Sequence, residues 1–327
     1  MNDMYISSQL LEKVNDYIAR MDYMRPPVGL YAPIEYVLSL GGKRIRPMLL
    51  LMAYNIYKDS IDKALSSAVA IETYHNYTLL HDDLMDKAAM RRGKPTVHIK
   101  WDDNTAILSG DTMLVLAYKL MGQCESSCLA TVMNLFSETA LEIGEGQQFD
   151  MEFETRMDVS EEEYIEMIRL KTSVLLAASL KIGALLAGAP DEDAARLYDY
   201  GIRIGLAFQL QDDYLDVYGD PALFGKKVGG DILCNKKTYM LINALQRADE
   251  AQHTELVRWI EAVEYKPEEK VAAVTRLYDQ IGIKELCHQK IESYFKSADE
   301  CLAQVNVPEA RKAVLREFVS SLVERKV

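Results

Sequence analysis

The chain is poor in residues that interrupt regular structure. Its 327 residues include 9 prolines and 17 glycines, and no stretch rich in proline, glycine or serine divides it. Domains joined by a flexible linker are therefore not expected, although the length alone would allow two. Residues that favour helices dominate, and 49% of the residues are hydrophobic, which is enough for a large core. We predict an all-α protein with one domain over residues 1–327.

Cysteines are few and irregularly spaced. They are Cys124, Cys128, Cys234, Cys287 and Cys301. An odd number without regular spacing does not make a disulfide framework, and it indicates a reducing compartment. We therefore predict a cytoplasmic protein. No histidine or second cysteine pair lies beside Cys124 and Cys128 to complete a zinc site.

Positive charge and long apolar runs are also scarce. The 37 Lys and Arg residues face 50 Asp and Glu residues, a net charge of −13, which disfavours a nucleic-acid partner. The most apolar window, residues 173–190, is interrupted by Lys181 and ends with Gly188 and Pro190, so it predicts a core helix rather than a membrane span. No basic region followed by an apolar stretch opens the chain, and no signal peptide is expected.

What the chain does contain is a cluster of aspartates at the polar end of a predicted helix. Asp82 and Asp86 are four residues apart, so they share a helix face and repel each other unless a cation lies between them. Carboxylates without histidine or cysteine suit a hard ion such as Mg²⁺. Arg91 and Arg92 follow, and arginine grips phosphate with two parallel hydrogen bonds. A solvated acidic helix end beside a basic loop is the alternative interpretation.

A second cluster repeats the first. Residues 206–216 form an apolar helical run that ends in Asp212-Asp213-x-x-Asp216, just as the first ends in Asp82-Asp83-x-x-Asp86. Lys226, Lys227, Lys236 and Lys237 lie downstream. Two carboxylate clusters, each followed by basic residues and holding cations between them, would bind a diphosphate. A generic helical interaction protein would need neither cluster.

Hydrophobic periodicity predicts the helices around these clusters. The predicted ranges are 4–24, 33–40, 47–58, 61–81, 103–122, 126–150 and 191–218. Ser160 and Glu163 form a predicted capping box ahead of another helix. The glycine-rich residues 219–237 are a predicted lid, and residues 237–327 are further helices without a chemical motif.

With its paired Asp-Asp-x-x-Asp clusters, the chain resembles the trans-isoprenyl diphosphate synthases of the polyprenyl synthetase family over nearly its whole length. The resemblance implies a helical bundle around a central cavity and a homodimer. It implies Mg²⁺-dependent head-to-tail condensation of isopentenyl diphosphate with an allylic diphosphate (dimethylallyl, geranyl or farnesyl). The expected product is a short all-trans chain, either C15 farnesyl or C20 geranylgeranyl diphosphate.

The resemblance assigns eight aspartates to three Mg²⁺ ions. They are Asp82, Asp83, Asp86, Asp150, Asp212, Asp213, Asp216 and Asp231. Asp82, Asp86 and Asp212 would bind the metal, whereas Asp83, Asp213 and Asp216 would support the ligands around it. The ions would neutralise the departing diphosphate.

The turn Gly41-Gly42-Lys43-Arg44-Ile45-Arg46-Pro47 matches the family's signature for isopentenyl diphosphate. Two glycines permit a close approach of backbone to ligand, and three cations follow. The residues assigned to this substrate are Gly42, Lys43, Arg46, His75 and Arg92. Arg44 occupies a variable position of the signature and receives no role.

Further residues are assigned to the allylic substrate and to catalysis. Arg91, Gln147, Lys171 and Lys226 would bind the allylic diphosphate. The predicted catalytic residues are Lys171, Thr172, Gln209, Lys226 and Lys236. Gly144 and Gly146 precede Gln147, but no strand comes before them and their spacing is incomplete, so they do not indicate a nucleotide loop. Glycines inside a helix more often permit close packing.

The length of the product would be set on the helix before Asp82. Tyr77 lies five residues before Asp82, about 7–8 Å along the axis, and Tyr74 lies eight before, about 12 Å. Either ring could close an apolar channel, and Thr78 is small where C15 enzymes often have a second aromatic. Ordinary core packing is the alternative for both tyrosines. A class I terpene cyclase would share the first cluster but usually not the second, and a catalytically silent subunit typically loses one of them.

Overall fold

The computed structural model describes residues 4–220 and 228–323 of the chain, and most of these residues are in helices, as predicted. The elements are α1 (Ser7–Arg20), α2 (Val28–Ser39), α3 (Ile45–Tyr57), a 3₁₀ turn (Asp62–Ala64), α4 (Leu65–Met85), β1 (Met90–Arg91), β2 (Lys94–Pro95), α5 (Val97–Lys100), α6 (Asp103–Met121), α7 (Leu129–Phe153), α8 (Glu161–Ile168), a π-helical turn (Arg169–Ser173), α9 (Val174–Leu186), α10 (Asp191–Tyr218), α11 (Gly230–Leu233), α12 (Tyr239–Arg247), α13 (Glu250–Glu261), α14 (Pro267–Ile281), α15 (Ile283–Ala303) and α16 (Glu309–Val323). None of the described helices is both long and apolar enough to cross a membrane.

Several helix boundaries follow local sequence signals. The Ser160 hydroxyl accepts a hydrogen bond from the Glu163 backbone N–H, and the Glu163 side chain accepts one from the Ser160 N–H, so the predicted capping box is confirmed. Asp102 caps α6 in the same way, with a 2.8 Å bond from the Thr105 N–H. Each cap satisfies backbone donors that the first turn of a helix leaves without partners.

The predicted start of the second helix was wrong. The second helix begins at Val28 rather than near Pro33, and Pro33 lies inside it. An interior proline removes a backbone hydrogen bond, but Ile34, Val37 and Leu38 are buried on this helix, and their packing outweighs that local penalty. The predicted lid at 219–237 stays a prediction: residues 221–227 lie outside the described residues, and the rest of the range includes the helical turn α11.

A short hairpin, β1–β2, follows α4 and was not predicted. Its strands are antiparallel, with Arg91 opposite Lys94. The two residues of the turn, Arg92 and Gly93, have φ angles of 52° and 73°. Positive φ at both central positions is the type I′ geometry, which matches the natural twist of paired strands. The hairpin therefore reverses the chain within four residues and presents two adjacent arginines.

The chain forms two compact units whose segments alternate along the sequence. The first unit takes in the described residues of Met1–Ser137, Ala178–Leu197 and Asn306–Phe318, and the second those of Glu138–Ala177, Tyr198–Val305 and Val319–Val327. The prediction of a single domain stays a prediction.

Helix α4 is central to the first unit. It packs against α1, α2, α3 and α6, and most of its residues from Ser67 to Asn76 are buried. The core of the second unit gathers around residues such as Tyr164, Leu210, Met240, Leu256 and Ile283. Both predicted aspartate clusters lie at the C-terminal ends of long helices, α4 in the first unit and α10 in the second.

Candidate active site

The first acidic motif (Asp82, Asp83 and Asp86) occupies the end of α4. Asp82 and Asp83 lie in its last turn, and Asp86 is its C-cap, with its N–H bonded to the Asp82 carbonyl at 2.9 Å. The helix dipole is negative at this end. Carboxylates here are therefore destabilised unless a cation approaches, which makes the helix end a favourable place for one.

Arg91 of the hairpin folds back onto the middle aspartate of this motif. Its Nε lies 2.9 and 2.7 Å from the two carboxylate oxygens of Asp83, and its Nη2 lies 3.7 Å from Asp82 Oδ2. Asp83 is almost fully buried. Burial raises the pKa of Asp83, and Arg91 opposes that rise by stabilising the charged carboxylate. Asp83 thus holds Arg91 in place from inside the protein.

Arg92, at the turn of the hairpin, meets the basic turn (Gly41–Pro47). Its guanidinium donates to the Gly41 carbonyl. Gly42 has φ 132°, and a Cβ there would come within 2.9 Å of the Arg92 guanidinium carbon. The backbone conformation strongly favours glycine here, and a side chain would also displace the Arg92 guanidinium.

His75 and Arg46 form the deepest part of the same cluster. Arg46 Nη1 lies 3.1 Å from His75 Nε2. Arginine can only donate, so Nε2 must accept, and His75 is the neutral Nδ1–H tautomer. Burial, followed by the nearby arginines Arg46, Arg92, Arg91 and Arg44, holds the pKa of His75 well below its usual value. Burial also lowers the pKa of Arg46 to about 10.

Within the described part of the chain, the buried Arg46 Nε has no hydrogen-bond partner. The structure therefore brings together four of the five residues predicted for isopentenyl diphosphate, namely Gly42, Arg46, His75 and Arg92. The fifth, Lys43, is exposed on the basic turn.

The second acidic motif (Asp212, Asp213 and Asp216) occupies the end of α10. Its middle residue, Asp213, is again buried, and it accepts hydrogen bonds from the Tyr164 hydroxyl and from Gln209 Nε2 at 3.1 Å. Burial raises the pKa of Asp213 to about 7, although Lys236 opposes the rise. Tyr164 received no role from the sequence, since nothing local distinguishes it from an ordinary core tyrosine.

Asp216 organises the start of α11. Its carboxylate accepts the Asp231 N–H at 2.9 Å, and its carbonyl accepts the Gly229 N–H at 2.6 Å. This bond places Asp231 beside the second acidic motif. The Lys236 N–H in turn bonds to the Asp231 carbonyl at 2.9 Å.

The π-helical turn between α8 and α9 carries Lys171 and Thr172. Such turns insert an extra residue into a helix and are frequent at functional sites. Lys171 Nζ lies 2.6 Å from Asp150 Oδ2, and the Thr172 hydroxyl donates to Gln209 Oε1 at 3.1 Å. Gly146 of α7 packs directly on the Lys171 backbone, where a Cβ would clash. The prediction that this glycine permits close packing is confirmed.

Two predicted residues remain without a described contact to the others. Gln147 is half-buried on α7, three residues before Asp150. Lys226 lies outside the described residues.

With these groups in place, comparison with known proteins decides the family. The sequence profile described as polyprenyl synthetase matches residues 27–281, which is well over half of the chain.

The chain belongs to the polyprenyl synthetase family.

Individual relatives agree with this membership. The geranylgeranyl diphosphate synthase of Methanosarcina mazei is 44% identical over 234 residues, covering 70% of this chain and 72% of the relative. The short chain isoprenyl diphosphate synthase of Methanothermobacter thermautotrophicus is 38% identical over 296 residues, covering 90% of each chain. A crystal structure of a geranylgeranyl pyrophosphate synthase superposes with a TM-score of 0.94 at 43% identity, covering 99% of this chain and 100% of that chain.

The predicted prenyltransferase class is thereby confirmed, and the terpene cyclase alternative loses its support.

Aromatic side chains from α4 and two neighbouring helices form a cluster before the acidic end of α4. The cluster consists of Tyr74, Tyr77, His81, Tyr118 and Phe136. The Tyr74 ring lies 5.5 Å from that of Tyr77 and 5.3 Å from that of Phe136, between ring centroids. Phe136 is fully buried and packs 4.9 Å from Tyr118. Sequence reasoning found Tyr74 and Tyr77 but missed Phe136 and Tyr118, which lie on other helices.

Thr78 differs from its aromatic neighbours. Its hydroxyl donates to the His75 carbonyl at 2.8 Å, within α4 itself. Threonine is also much smaller than an aromatic residue, so it adds little bulk at this position, four residues before Asp82.

The residues also fit Mg²⁺. In the described ranges, no three His, Cys, Asp or Glu side chains could hold a metal by themselves. Mg²⁺ commonly takes only one or two carboxylates, with water and substrate phosphate completing its octahedron. Asp86 and Asp212 are exposed, and Asp82 is partly exposed, so these carboxylates can meet a solvated ion from the surface, whereas Asp83 and Asp213 face the interior.

Proposed function

We propose that this chain condenses isopentenyl diphosphate with an allylic diphosphate and releases an all-trans C20 product, geranylgeranyl diphosphate. The proposal is carried by the basic cluster, Arg46–His75–Arg92, and by the two acidic motifs, each of which has a buried and hydrogen-bonded middle aspartate. The C20 length is supported by the small side chain of Thr78 and by the names of similar enzymes. A C15 product, farnesyl diphosphate, is the second candidate.

Isopentenyl diphosphate would bind at the basic cluster in the first unit. Arg46, Arg92 and Lys43 supply fixed positive charge, and Arg46 has a buried N–H still available for an acceptor. A neutral His75 accepts from Arg46 and so aims its guanidinium without adding a competing charge. Holding this substrate in one orientation supplies the proximity that the reaction requires.

The allylic diphosphate would be held by Arg91, Gln147, Lys171 and Lys226. Asp83 positions Arg91, and Asp150 positions Lys171. Three Mg²⁺ ions, bound by Asp82 and Asp86 and by Asp212, would neutralise the diphosphate and act as Lewis acids. Asp216 and Asp231 would support the ligands of the second acidic motif.

Positive charge develops on the allylic carbon as the carbon–oxygen bond breaks. The oxygens of Thr172 and Gln209 are held by a hydrogen-bonded series that runs from Thr172 through Gln209 to Asp213 and Tyr164. Fixed dipoles of this kind stabilise developing charge because they need no reorganisation during the reaction. Lys236 would add charge for the departing group, as the resemblance implies.

The aromatic cluster would form the floor of the product channel. Thr78 lies four residues before Asp82, Tyr77 five and Tyr74 eight, so a floor at Tyr74 would lie about one turn deeper than one at Thr78 and would admit a longer chain. Phe136 backs Tyr74 and prevents its ring from moving aside.

Two further properties are proposed on the same basis. A homodimer is supported by Leu108 and Val115, which lie seven residues apart on α6 and are 59% and 66% exposed although apolar. A cytoplasmic location is supported by five free cysteines. Sedimentation of the purified protein would test the dimer, and a monomer at micromolar concentration would contradict it.

Product analysis tests the proposed reaction. Purified protein is incubated with isopentenyl diphosphate and the C5, C10 or C15 allylic primer, with Mg²⁺ or with EDTA, and chain length is measured after dephosphorylation. We expect a Mg²⁺-dependent C20 alcohol. A C15 alcohol would select the second candidate, and a cyclic hydrocarbon or no product would overturn the proposal.

Variants of α4 test the floor. Tyr77→Ala and Phe136→Ala should lengthen the product by opening the channel, and Thr78→Phe should shorten it to C15. Tyr118→Phe, which keeps the ring, is the matched control and should leave the product unchanged. An unchanged distribution in Tyr77→Ala would count against the floor.

A further inference from the structure

Arg44, in the middle of the basic turn, is buried in the first unit and hydrogen-bonded to three helices. Only 4% of it is exposed. Its Nη1 lies 2.6 Å from Glu72 Oε1, and its Nη2 donates to the Leu38 carbonyl at the same distance. Its Nε reaches Asn15 at 3.4 Å. One side chain thus ties the turn to α1, α2 and α4.

The backbone of Arg44 is as unusual as its side chain. Its φ is 49°, in the left-handed region that side chains other than glycine, asparagine and aspartate rarely adopt. The residue is the N-cap of α3, so this conformation sets the direction in which the chain enters the helix. Strained conformations persist only where the surroundings fix them, and they cluster at functional sites.

The residues near Arg44 and Glu72 belong to the basic cluster proposed to bind isopentenyl diphosphate. Lys43 precedes Arg44, and Arg46 is two residues after it, on the first turn of α3. Glu72 lies on α4 three residues before His75, the partner of Arg46. Asn76 donates to the same Glu72 oxygen at 2.8 Å, so the carboxylate is fixed from two sides. The ion pair therefore holds the two elements that carry Arg46 and His75.

We propose that Arg44, through its buried ion pair with Glu72, is a positioning residue that sets the affinity for isopentenyl diphosphate. This inference rests on the proposed function of the basic cluster. Arg44 itself does not contact the substrate, since its guanidinium is turned inward onto Glu72 and Leu38. By anchoring the turn, Arg44 fixes the backbone that carries Lys43 and Arg46, the two cations proposed to bind the diphosphate.

The test uses Arg44→Lys and Arg44→Gln in the full-length protein. Lysine keeps the charge but cannot reach Glu72 and the Leu38 carbonyl together, because it lacks the planar fork of arginine. We expect the KM for isopentenyl diphosphate to rise about tenfold to a hundredfold, as for a misplaced binding group. The KM for the allylic primer should stay near the wild-type value, with Arg44→Lys less affected than Arg44→Gln.

Arg311→Gln is the matched control. Arg311 also places one Nη on a carboxylate, Asp59 at 2.9 Å, and another on a backbone carbonyl, Asn55 at 3.4 Å. It belongs to the same unit but lies at the start of α16. This variant should change neither KM.

A double-mutant cycle with Glu72→Gln shows whether the pair acts as a unit. If it does, the loss in Arg44→Gln/Glu72→Gln will be smaller than the product of the two single losses. If the loss in the double variant equals the product of the two single losses, the two residues act independently, and this result contradicts a role through the ion pair. Should Arg44→Gln fail to fold by circular dichroism, Arg44→Lys and the double variant carry the test.

Calorimetric binding of isopentenyl diphosphate separates this inference from the proposed reaction, because it needs no turnover. Weaker binding in folded Arg44→Lys would support the inference even if the wild type makes an unexpected product. Unchanged binding and KM in the folded variants would overturn it. An equal rise in the KM of both substrates would also overturn it, since that result indicates a general loss of structure.

Discussion

The two acidic motifs have the same sequence pattern but are anchored by different chemistry. Each ends a long helix, and each buries its middle aspartate, Asp83 or Asp213. Asp83 is bonded by the charged Arg91 of the hairpin, whereas Asp213 is bonded by the neutral Tyr164 and Gln209. The first motif is thus coupled to an arginine that we propose binds the allylic diphosphate. The second is coupled to the oxygens of Gln209 and Thr172, where a cation is expected to form.

The difference shows that two motifs with the same sequence pattern can have different roles in one protein. In both, the outer aspartates have access to solvent and the inner one joins the motif to the protein. What the inner one holds, an arginine or a polar series, decides which part of the reaction that motif would serve.

The largest expected effect comes from the first aspartate of each motif. Asp82→Asn and Asp212→Asn should each lower kcat about 10²- to 10³-fold, because each removes a charge placed for the cations on the diphosphate. Steady-state kinetics at saturating Mg²⁺ measures this. Asp191→Asn, an exposed aspartate at the opposite end of α10, is the control. A wild-type kcat in either variant would show that the motif concerned does not take part in the reaction, and the two motifs could no longer be compared as parts of one active site.

The next largest effect is on stability, and it distinguishes the residues that bond the two buried aspartates. Arg91→Gln leaves a buried carboxylate without its charged partner and should cost about 2 kcal/mol. Tyr164→Phe removes one hydrogen bond while Gln209 remains, and should cost about 1 kcal/mol. Unfolding in urea with EDTA gives both values.

Tyr218→Phe is the matched control for Tyr164→Phe. Its hydroxyl donates to Asp279 at 2.9 Å in an exposed setting, so its loss should cost less. If Tyr164→Phe lowered the free energy of unfolding more than Arg91→Gln did, the neutral hydrogen bond at Asp213 would stabilise the protein more than the charged one at Asp83, contrary to this prediction.

The smallest effect is a difference in pH dependence. Asp213 has a pKa of about 7 in the folded chain, against 3.8 for the ordinary group. The folded state therefore binds this proton more tightly, and the stability it contributes is complete below the lower pKa and is lost as pH rises through about 7. Relative to Asp213→Asn, wild-type stability should fall by at most about 1.4 kcal/mol per pH unit in that window.

Asp83→Asn provides the comparison for this measurement. The pKa of Asp83 is also raised by burial, but Arg91 opposes the rise, so its removal should change the slope less. Unfolding free energies in EDTA across the window measure both slopes. Equal slopes would mean that the arginine does not stabilise the charged form of Asp83.

Local sequence was sufficient where the interaction was itself local. The span of α10, the capping box at Ser160 and Glu163, and the place of both acidic motifs at helix ends all follow from residues a few positions apart. Helical periodicity and capping act over one or two turns, so a single sequence carries them.

The β1–β2 hairpin, in contrast, could not be predicted from local sequence. Arg92 is not a typical residue for the first position of a type I′ turn, so the pattern gave no signal. Arg92 adopts the conformation while its guanidinium bonds the Gly41 carbonyl, fifty-one residues away. A long-range contact of this kind cannot be deduced from the turn alone.

By itself the sequence determined the helical class, the two acidic motifs and, through the family resemblance, the chemistry they serve. Only the tertiary structure decided that Arg44 is buried in an ion pair with Glu72, that Tyr164 bonds Asp213, and that Phe136 packs against Tyr74. The physical reason is the same in each case. A side chain's role depends on burial and on partners 28, 49 or 62 residues away, and those are fixed when helices pack, not when they form.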